Sequence, residues 1–527
     1  MPLINSLVSW YLRRRVPAIE QHYTNPEELQ FNQLMSLLKT ASITEFGKLY
    51  DFGSIKSIDE YKQRVPVTNY DDFKHYIKRM LNGEQNILWP TEVRWFAKSS
   101  GTTSDKSKFI PVTYESLEEC HYRGGKDALL FYVEQNPNSE IFNGKGLVMG
   151  GSHQINNLNS ESFYGDLSAV MMQNMPMWTQ YFRTPDLSIA IMDNWDEKIE
   201  KMARATVGED VTSISGVPTW TIVLIEHLFE LTGYNNLVDI WPNLELYMHG
   251  GVSFTPYQNR FKQLIRSSKV NYLEIYNASE GFIGIQDNLN ASSREMLLML
   301  DYGIYYEFMP MSEYGKKYPI TYSIDEVKTN QVYALIISTN AGLWRYIIGD
   351  TIQFTSLKPY RFKITGRTKH FINAFGEELM IDNADKAINY ACQVTNSSIA
   401  DYTAAPVFMT NDNKGAHEWL IEFDELPENI EIFTYELDKK LKLLNSDYEA
   451  KRYMDMAMQM PIVRVVPKGT FNNWLKNNGK LGGQHKVPRL SNNREVLESI
   501  LHSVSEVMKS SAAAYVKKLH LKLHLLE

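Results

Sequence analysis

The chain has 527 residues, 43% hydrophobic, 12% aromatic and 22% charged, with 54 Lys and Arg against 62 Asp and Glu and a net charge of −8. That length accommodates three or four domain-sized units, and the composition excludes a largely disordered, collagen-like or low-complexity chain. The acidic balance disfavours a nucleic-acid partner, while two cysteines, Cys120 and Cys392, exclude a disulfide framework and lead us to expect a reducing, cytoplasmic setting.

No segment reaches the roughly 20 apolar residues that span a bilayer, so stable membrane insertion is not expected. At the N-terminus, Leu3–Leu12 precedes the basic run Arg13-Arg14-Arg15. A secretory signal has the opposite order, and the stretch reads as a docked helix. Helical periodicity predicts Glu27–Ala41, Tyr70–Leu81, Tyr114–Glu134 and Pro218–Leu231. Pro218 suits a first helical turn and Gly233 a stop. Short apolar runs predict strands at Gly146–Met149, Val211–Ile214, Leu244–Met248, Val270–Ile275, Val332–Ile337 and Arg361–Ile364, many of them buried on both faces. Helices and strands alternate through 90–290, and 300–365 is strand-dense. After Gly366 a smaller α+β pattern follows, with helices at Ile381–Cys392, Ile430–Leu444 and from Asn493, and strands at Trp419–Phe423 and Ile462–Val466. The expected fold is α/β: a large N-terminal domain with α/β and β-rich subdomains, then a small α+β C-terminal domain. The boundary falls within 365–378, giving domains 1–366 and 367–527.

Three motifs carry chemistry. The first is Lys98-Ser-Ser-Gly-Thr-Thr-Ser-Asp-Lys-Ser-Lys108, after the strand-like Val93–Ala97. Gly101 permits a tight backbone path. Ser99, Ser100, Thr102 and Thr103 gather hydroxyls and N–H groups of the kind that bind anions, and a nearby lysine adds a point charge for phosphate. A solvated polar loop has the same composition, and no Walker pattern occurs. The second is Tyr276-Asn-Ala-Ser-Glu280-Gly281, at the carboxyl end of a predicted strand, where α/β sheets place ligands. Glu280 suits Mg²⁺ beside a phosphate and Tyr276 offers an aromatic face; a plain strand-ending turn fits equally. Ala278–Gly281 half-matches a hydrolase nucleophile elbow, with His249-Gly-Gly251 as oxyanion loop, but Asn277 replaces the first glycine. The third is Gly342-Leu-Trp-Arg-Tyr-Ile-Ile-Gly-Asp350. An Asp just after a strand and a glycine matches the two hydroxyls of a ribose, or is an ordinary turn Asp.

Other signals are weaker. No H-E-x-x-H occurs, His520 and His524 read as a solvated helix end, and Gly144-x-Gly146 lacks the rest of a dinucleotide fingerprint. Met171–Phe182, with four Met and three aromatics, fills a core or lines an apolar acid pocket. Gly216-Val-Pro-Thr-Trp220 opens a helix and is a second pocket candidate, through Val217 and Trp220.

In series, the three motifs resemble those of the adenylate-forming superfamily of acyl ligases and luciferases. More narrowly, the chain is similar to acyl acid amido synthetases of the auxin-responsive family, in a bacterial-type form, over nearly its whole length. The resemblance implies ATP and Mg²⁺, a carboxylic acid that is adenylated, and an amine, by family resemblance an amino acid, that receives the acyl group. It implies that Ser99, Ser100, Gly101, Thr102, Thr103 and Lys108 cradle the triphosphate. Tyr276 would lie near adenine, Ser279 near the α-phosphate, Glu280 on Mg²⁺ and Asp350 on the ribose, with Gly250 and Gly251 letting adenine approach the backbone. Thr365-Gly366-Arg367-Thr368-Lys369 and Phe375-Gly376-Glu377-Glu378 resemble the hinge and hairpin of the small domain, with Arg367 reaching ribose or phosphate. Gly483-Gln-His-Lys486-Val-Pro-Arg489 resembles the loop of a mobile catalytic lysine, Lys486. Two departures stand out: Asp105 replaces a loop glycine, and Ile347 replaces the arginine of the third motif; Arg345, on the same strand face, is a candidate to supply that charge. An acyl-CoA ligase and a catalytically silent nucleotide-binding homologue are the alternatives.

Overall fold

The computed structural model describes residues 2–100, 107–151, 156–157, 161–192, 194–252, 254, 257–289, 295–368, 371–377, 379–410, 414–478 and 487–505. The chain packs as two compact units, Met1–Lys369 and His370–Glu527. Gly101, Thr102, Thr103, Asp105, Glu378, Lys486, His520 and His524 lie outside the described residues.

The helix Tyr70–Leu81 begins where Asn69 accepts from the Asp71 amide (2.8 Å) and Asp72 accepts from the Asn69 amide (2.8 Å). This reciprocal cap satisfies donors that the first turn leaves open. The helix Pro218–Thr232 starts on proline and stops at Gly233, whose φ of +77° places it in the left-handed region. The predicted single helix over Tyr114–Glu134 is instead a π-helical turn, Ser116–His121, running into an α-helix, Tyr122–Gln135. At the N-terminus, Pro2–Arg13 is a docked helix, tied by Asn5 to Ser139 (2.7 Å) and to the Phe142 amide (3.2 Å). Arg15 and His22 then converge on Asp301, at 2.6 and 3.0 Å.

The strands of the first unit are β1 (Trp95–Ser100), β2 (Ser107–Val112), β3 (Lys145–Val148), β4 (Asn156–Asn157), β5 (Phe163–Gly165), β6 (Arg183–Thr184), β7 (Val211–Ser215) and β8 (Leu246–His249). They continue as β9 (Asn271–Ala278), β10 (Gly281–Ile285), β11 (Met296–Leu298), β12 (Ile304–Pro310), β13 (Val332–Thr339), β14 (Tyr346–Leu357) and β15 (Tyr360–Arg367). The large sheet runs β12-β13-β14-β15-β11-β10-β9-β8-β7-β3-β6. From β6 to β9 all neighbours are parallel, and from β9 to β12 all are antiparallel. β9 is therefore the junction between an α/β half and a β-rich half. A smaller sheet, β2-β1-β5-β4, stands beside it.

The edge strand β12 is covered by a side chain. Gln30 donates to the carbonyls of Leu300 and Ile304 (both 2.9 Å) and accepts from the Tyr306 amide (2.8 Å). An open edge would otherwise pair with another chain.

The second unit contains β16 (Phe371–Ile372), β17 (Leu379–Met380), β18 (Ser398–Val407), β19 (Ala416–Glu425) and β20 (Ile462–Val466). The helices Ile381–Val394 and Ile430–Leu444 pack in the same unit. Thr403 donates to the Pro488 carbonyl (2.6 Å) and the Ala404 amide to the Arg489 carbonyl (2.8 Å), which fixes the chain just after residue 486.

Two expectations fail. Arg345 does not share a strand face with Ile347. It precedes β14 with a φ of +46°, so strand alternation does not reach it. Its guanidinium is buried and uses all five donors: two on Glu307 (2.9 and 2.8 Å), one on Thr321 (2.9 Å), and one each on the carbonyls of Lys62 (2.8 Å) and Val65 (2.6 Å). The charge is consumed in packing, and Ile347 itself lies against the small cluster of Met309, Ala334 and Ile336. Met171–Phe182 likewise fails as one element: Met172 is buried and Met171 and Met175 pack against the core, but Met177, Trp178 and Tyr181 are 82%, 62% and 81% exposed.

Because Glu307 is buried against Arg345, Arg345→Met should destabilise the first unit by about 3–5 kcal/mol, the scale of leaving a buried charge unpaired. Urea unfolding followed by tryptophan fluorescence should show a markedly lower midpoint, and adding Glu307→Gln should recover part of it.

Candidate active site

Three turns lie at the carboxyl ends of the parallel strands. Gly216-Val217 follows β7, Gly250-Gly251 follows β8, and Ser279-Glu280 joins β9 to β10. A Cβ at Gly250 would lie 2.4 Å from the Ile275 carbonyl oxygen, so no larger residue fits there. Gly251 has a φ of +81°, and a Cβ on it would stand 3.5 Å from Val217 Cγ2. Gly250 thus packs on the β9 backbone, and Gly251 stands within van der Waals reach of the Val217 side chain. Trp220 is buried in the first turn of the helix Pro218–Thr232 that Val217 precedes. The hydrolase alternative fails here: Ser279 sits in a hairpin turn between antiparallel strands, and a nucleophile elbow needs a strand-to-helix turn.

Tyr276 is not beyond its strand, as expected, but within β9. Asp350 likewise lies within β14, one residue after Gly349, whose φ is +102°. The Tyr276 hydroxyl donates to one Asp350 carboxylate oxygen, and Arg367 Nε donates to the other at 2.6 Å. Asp350 and Arg367 are register partners across β14 and β15. Each carboxylate oxygen carries two acceptor sites, so Asp350 retains capacity for a vicinal diol while both neighbours hold it in place. Burial, then the negative charge of Asp350, pushes the Tyr276 phenol well above its ordinary range, and Glu280 adds to this. Tyr276 therefore stays a neutral donor.

In the smaller sheet, Ser99 and Lys108 are cross-strand partners of β1 and β2, next to Ser100 opposite Ser107. Directly opposed residues of antiparallel strands present side chains to one face, so a hydroxyl and an ammonium stand together at the base of the segment 101–106. The Phe109 amide donates to Tyr70 (2.9 Å), anchoring β2 to the capped helix.

The residues present fit a nucleotide: bare glycine backbone after β8, an aromatic ring with a phenolic donor, and a fixed carboxylate with spare acceptors. Among the described residues no group of three or more His, Cys, Asp or Glu forms a metal cage. Mg²⁺ is commonly held by one or two carboxylates together with substrate phosphates. Half-buried Glu280 in its turn suits that mode and not a free-standing metal site.

Sequence reasoning missed His121. Its Nδ1 lies 2.8 Å from Asn277 Oδ1, so with the amide oxygen facing the ring the hydrogen sits on Nδ1. Burial pushes the imidazole down to about 4, against the Asn277 bond that works the other way. A buried histidine in a predicted helix carries no sequence mark of this role.

The fold is that of the adenylate-forming ligases. Over 92% of this chain it matches the acyl acid amido synthetase GH3.15, covering 95% of that chain with a TM-score of 0.60 at 17% identity. It also matches 2-hydroxyisobutyryl-CoA ligase, with a TM-score of 0.56 at 13% identity over 92% of this chain and 94% of that one. The family is narrower. Models of the GH3 family N-terminal, central and C-terminal domains match residues 15–270, 297–367 and 382–495 in order, and the chain belongs to the GH3 family. Among its relatives is the indole-3-acetic acid-amido synthetase GH3.4 of Arabidopsis thaliana, 23% identical over 89% of this chain and 90% of its own. Another is the 4-substituted benzoates-glutamate ligase GH3.12 of the same plant, 22% identical over 90% and 94%.

Two outcomes follow from this geometry. Asp350→Ala should raise KM for ATP about 10-fold or more, the scale of losing a hydrogen bond to a charged group, with Asp350→Asn milder because one acceptor survives; steady-state kinetics at varied ATP measure both. For His121, the folded pKa of about 4 lies below the ordinary 6.5, so the unfolded chain binds more protons between those values. Its contribution is intact above pH 6.5 and is lost as pH falls toward 4, by up to about 1.4 kcal/mol per pH unit. His121→Asn should flatten that part of the stability–pH curve relative to wild type.

Proposed function

We propose that the protein is an ATP-dependent ligase that adenylates a carboxylic acid and transfers the acyl group to an amino acid, forming an amide. The observation that carries this is the Tyr276–Asp350–Arg367 cluster beside the crowded Gly250–Gly251 backbone, in a chain of the GH3 family. The relatives named as an amido synthetase and a glutamate ligase support the acceptor class.

In the first half-reaction a carboxylate oxygen attacks the α-phosphorus of ATP and pyrophosphate leaves. The barrier is negative charge gathering on phosphate oxygens, which fixed donors and cations lower. Lys108, Ser99 and the Ser100 backbone stand at one end of that path, with residues 101–103 proposed to complete the cradle. Asp350 holds the ribose, Arg367 and Tyr276 hold Asp350, and Gly250–Gly251 admits the adenine. Glu280 would hold Mg²⁺, which when bound supplies charge dispersal at the phosphates. In the second half-reaction the amine attacks the acyl carbonyl and AMP leaves with the bonding pair; the amine proton passes to solvent or base. The boundary near 365–370 is the proposed hinge and Lys486 the proposed mobile lysine, delivered by the second unit for the first step. Val217 is proposed to line the acyl pocket. Only Cys120 and Cys392 are thiols, which supports a reducing, cytoplasmic setting.

The test is ATP–pyrophosphate exchange across a panel of aromatic and aliphatic carboxylic acids, followed by amide analysis when amino acids are added to the active acids. Exchange with at least one acid, and an amide from it, is the expected result. Absence of exchange with every acid would refute the reading, and thioester formation with CoA in place of amide would reassign the acceptor. In the same assay Lys108→Ala should slow exchange by about 10²–10³, the scale of removing one donor from developing charge.

A further inference from the structure

The π-helical turn Ser116–His121 interrupts what the sequence pattern predicts as a continuous helix. Such turns are rare and collect at functional sites, and here its last two residues both address the hairpin that carries Ser279 and Glu280. The Phe282 amide donates to Cys120 Sγ at 3.1 Å, and His121 Nδ1 donates to Asn277 Oδ1 at 2.8 Å. Asn277 and Phe282 are not arbitrary targets. They stand directly opposite one another in the β9–β10 register, one pair away from the turn, with Ala278 opposite Gly281 between them and Ser279–Glu280. Adjacent residues of the helix thus hold the two strands of one hairpin at one rung.

The fit around this rung is close. A Cβ at Gly124, in the following helix, would fall 2.4 Å from the Phe282 ring, and one at Gly281 would stand 3.7 Å from Cys120 Sγ. The register of β9 and β10 slips between Phe282 and Gly284, which disturbs the ladder at the place where the Phe282 amide turns to sulfur. Sulfur is a weak acceptor, and burial pushes the Cys120 thiol up to about 12, so the group acts as a neutral thiol. His121 supplies the stronger grip, a conventional N–H to amide-oxygen bond in a buried setting.

We propose that Cys120 and His121 are positioning residues for adenylation: the π-helical turn clamps the Asn277–Phe282 rung and so sets where Ser279 and Glu280 stand relative to the nucleotide. The proposal rests on the functional reading above. An error of about 1 Å at a charge-stabilising group is enough to slow a reaction by about 10², so a two-residue turn carrying such a group gains from being held on both strands. A single α-helical surface offers successive side chains about 100° apart; widening the turn brings two neighbours onto the same hairpin.

The experiment compares His121→Ala with His121→Asn, whose side-chain N–H reaches the place of Nδ1, in two readouts. The first is hydrogen exchange by mass spectrometry on peptides spanning 271–285 of the nucleotide-free full chain. The second is the Mg²⁺ dependence of ATP–pyrophosphate exchange. His121→Ala should speed amide exchange in 276–282 about 10-fold, raise the half-saturating Mg²⁺ several-fold and lower kcat about 10–100-fold, leaving KM for the acid within about 2-fold. His121→Asn should restore protection and Mg²⁺ dependence together. Wild-type behaviour of His121→Ala in both readouts overturns the clamp, as does injury that Asn fails to rescue, since that marks a packing role. If His121→Ala does not fold, Asn277→Ala removes the same bond from the other side and should reproduce its effects; unaltered protection there also overturns the proposal. A wild-type protein without pyrophosphate exchange would refute the functional reading instead, and the hydrogen-exchange arm would still decide the clamp.

Discussion

Everything in the first unit depends on how the large sheet curls after β9. In sheet order four spacings separate β9 from β14, roughly 19 Å if the sheet were flat. Yet the hydroxyl of Tyr276 on β9 reaches the carboxylate of Asp350 on β14. The curl is enforced by a missing side chain: Gly284 lies opposite Tyr276 in the register, and a Cβ there would fall 2.7 Å from the Phe362 ring. Phe362 of β15 folds down over that bare backbone and comes within 6.3 Å of the Tyr276 ring. One glycine thus lets Phe362 pack on β10 beside Tyr276, where β9 and β14 are brought together.

The same junction explains why the loops are arranged as they are. Parallel strands deliver their connections to one end of the sheet, so the Gly216-Val217 and Gly250-Gly251 turns arrive there together with the end of β9. Antiparallel pairing then returns the chain at once through Ser279-Glu280, so the turn stays at that end and cannot wander. The buried Arg345–Glu307 pair works farther along, joining the chain before β14 to β12 and to the helix Ile58–Arg64 that contributes the Lys62 carbonyl.

Much of this was legible in the residues. Tyr70–Leu81, Ile430–Leu444 and Ile462–Val466 have the bounds that periodicity assigns, because each has a full apolar stripe or run with clear punctuation. The family is readable from three motifs in order. What was not legible was non-local. Tyr276–Ala278 looked like loop because its polar residues face other elements, Asn277 toward His121, and not because strand pairing ends. Asp350 looked like a turn residue because Gly349 breaks the pattern without breaking the strand. Arg345 was misread because a left-handed residue resets the side-chain alternation on which strand-face arguments rely. The strand Ser398–Val407 carries a weak sequence signal, since its Ala-Ala-Pro core lacks the β-branched density of a usual strand. The clamp at residues 120–121 has no motif at all, since a π-helical turn is a backbone hydrogen-bond pattern that shares the apolar periodicity of the helix it interrupts.

The cluster also makes nucleotide capture a report on how far folding has gone. Its members are 74 and 17 residues apart in the chain, and they meet only when the sheet has closed. A partly assembled chain, with the parallel half formed and the antiparallel half still open, has the glycine-lined turns but no fixed carboxylate. By mass action a ligand that binds only the assembled cluster stabilises that assembly, so a nucleotide held there would act as a folding partner as well as a reactant.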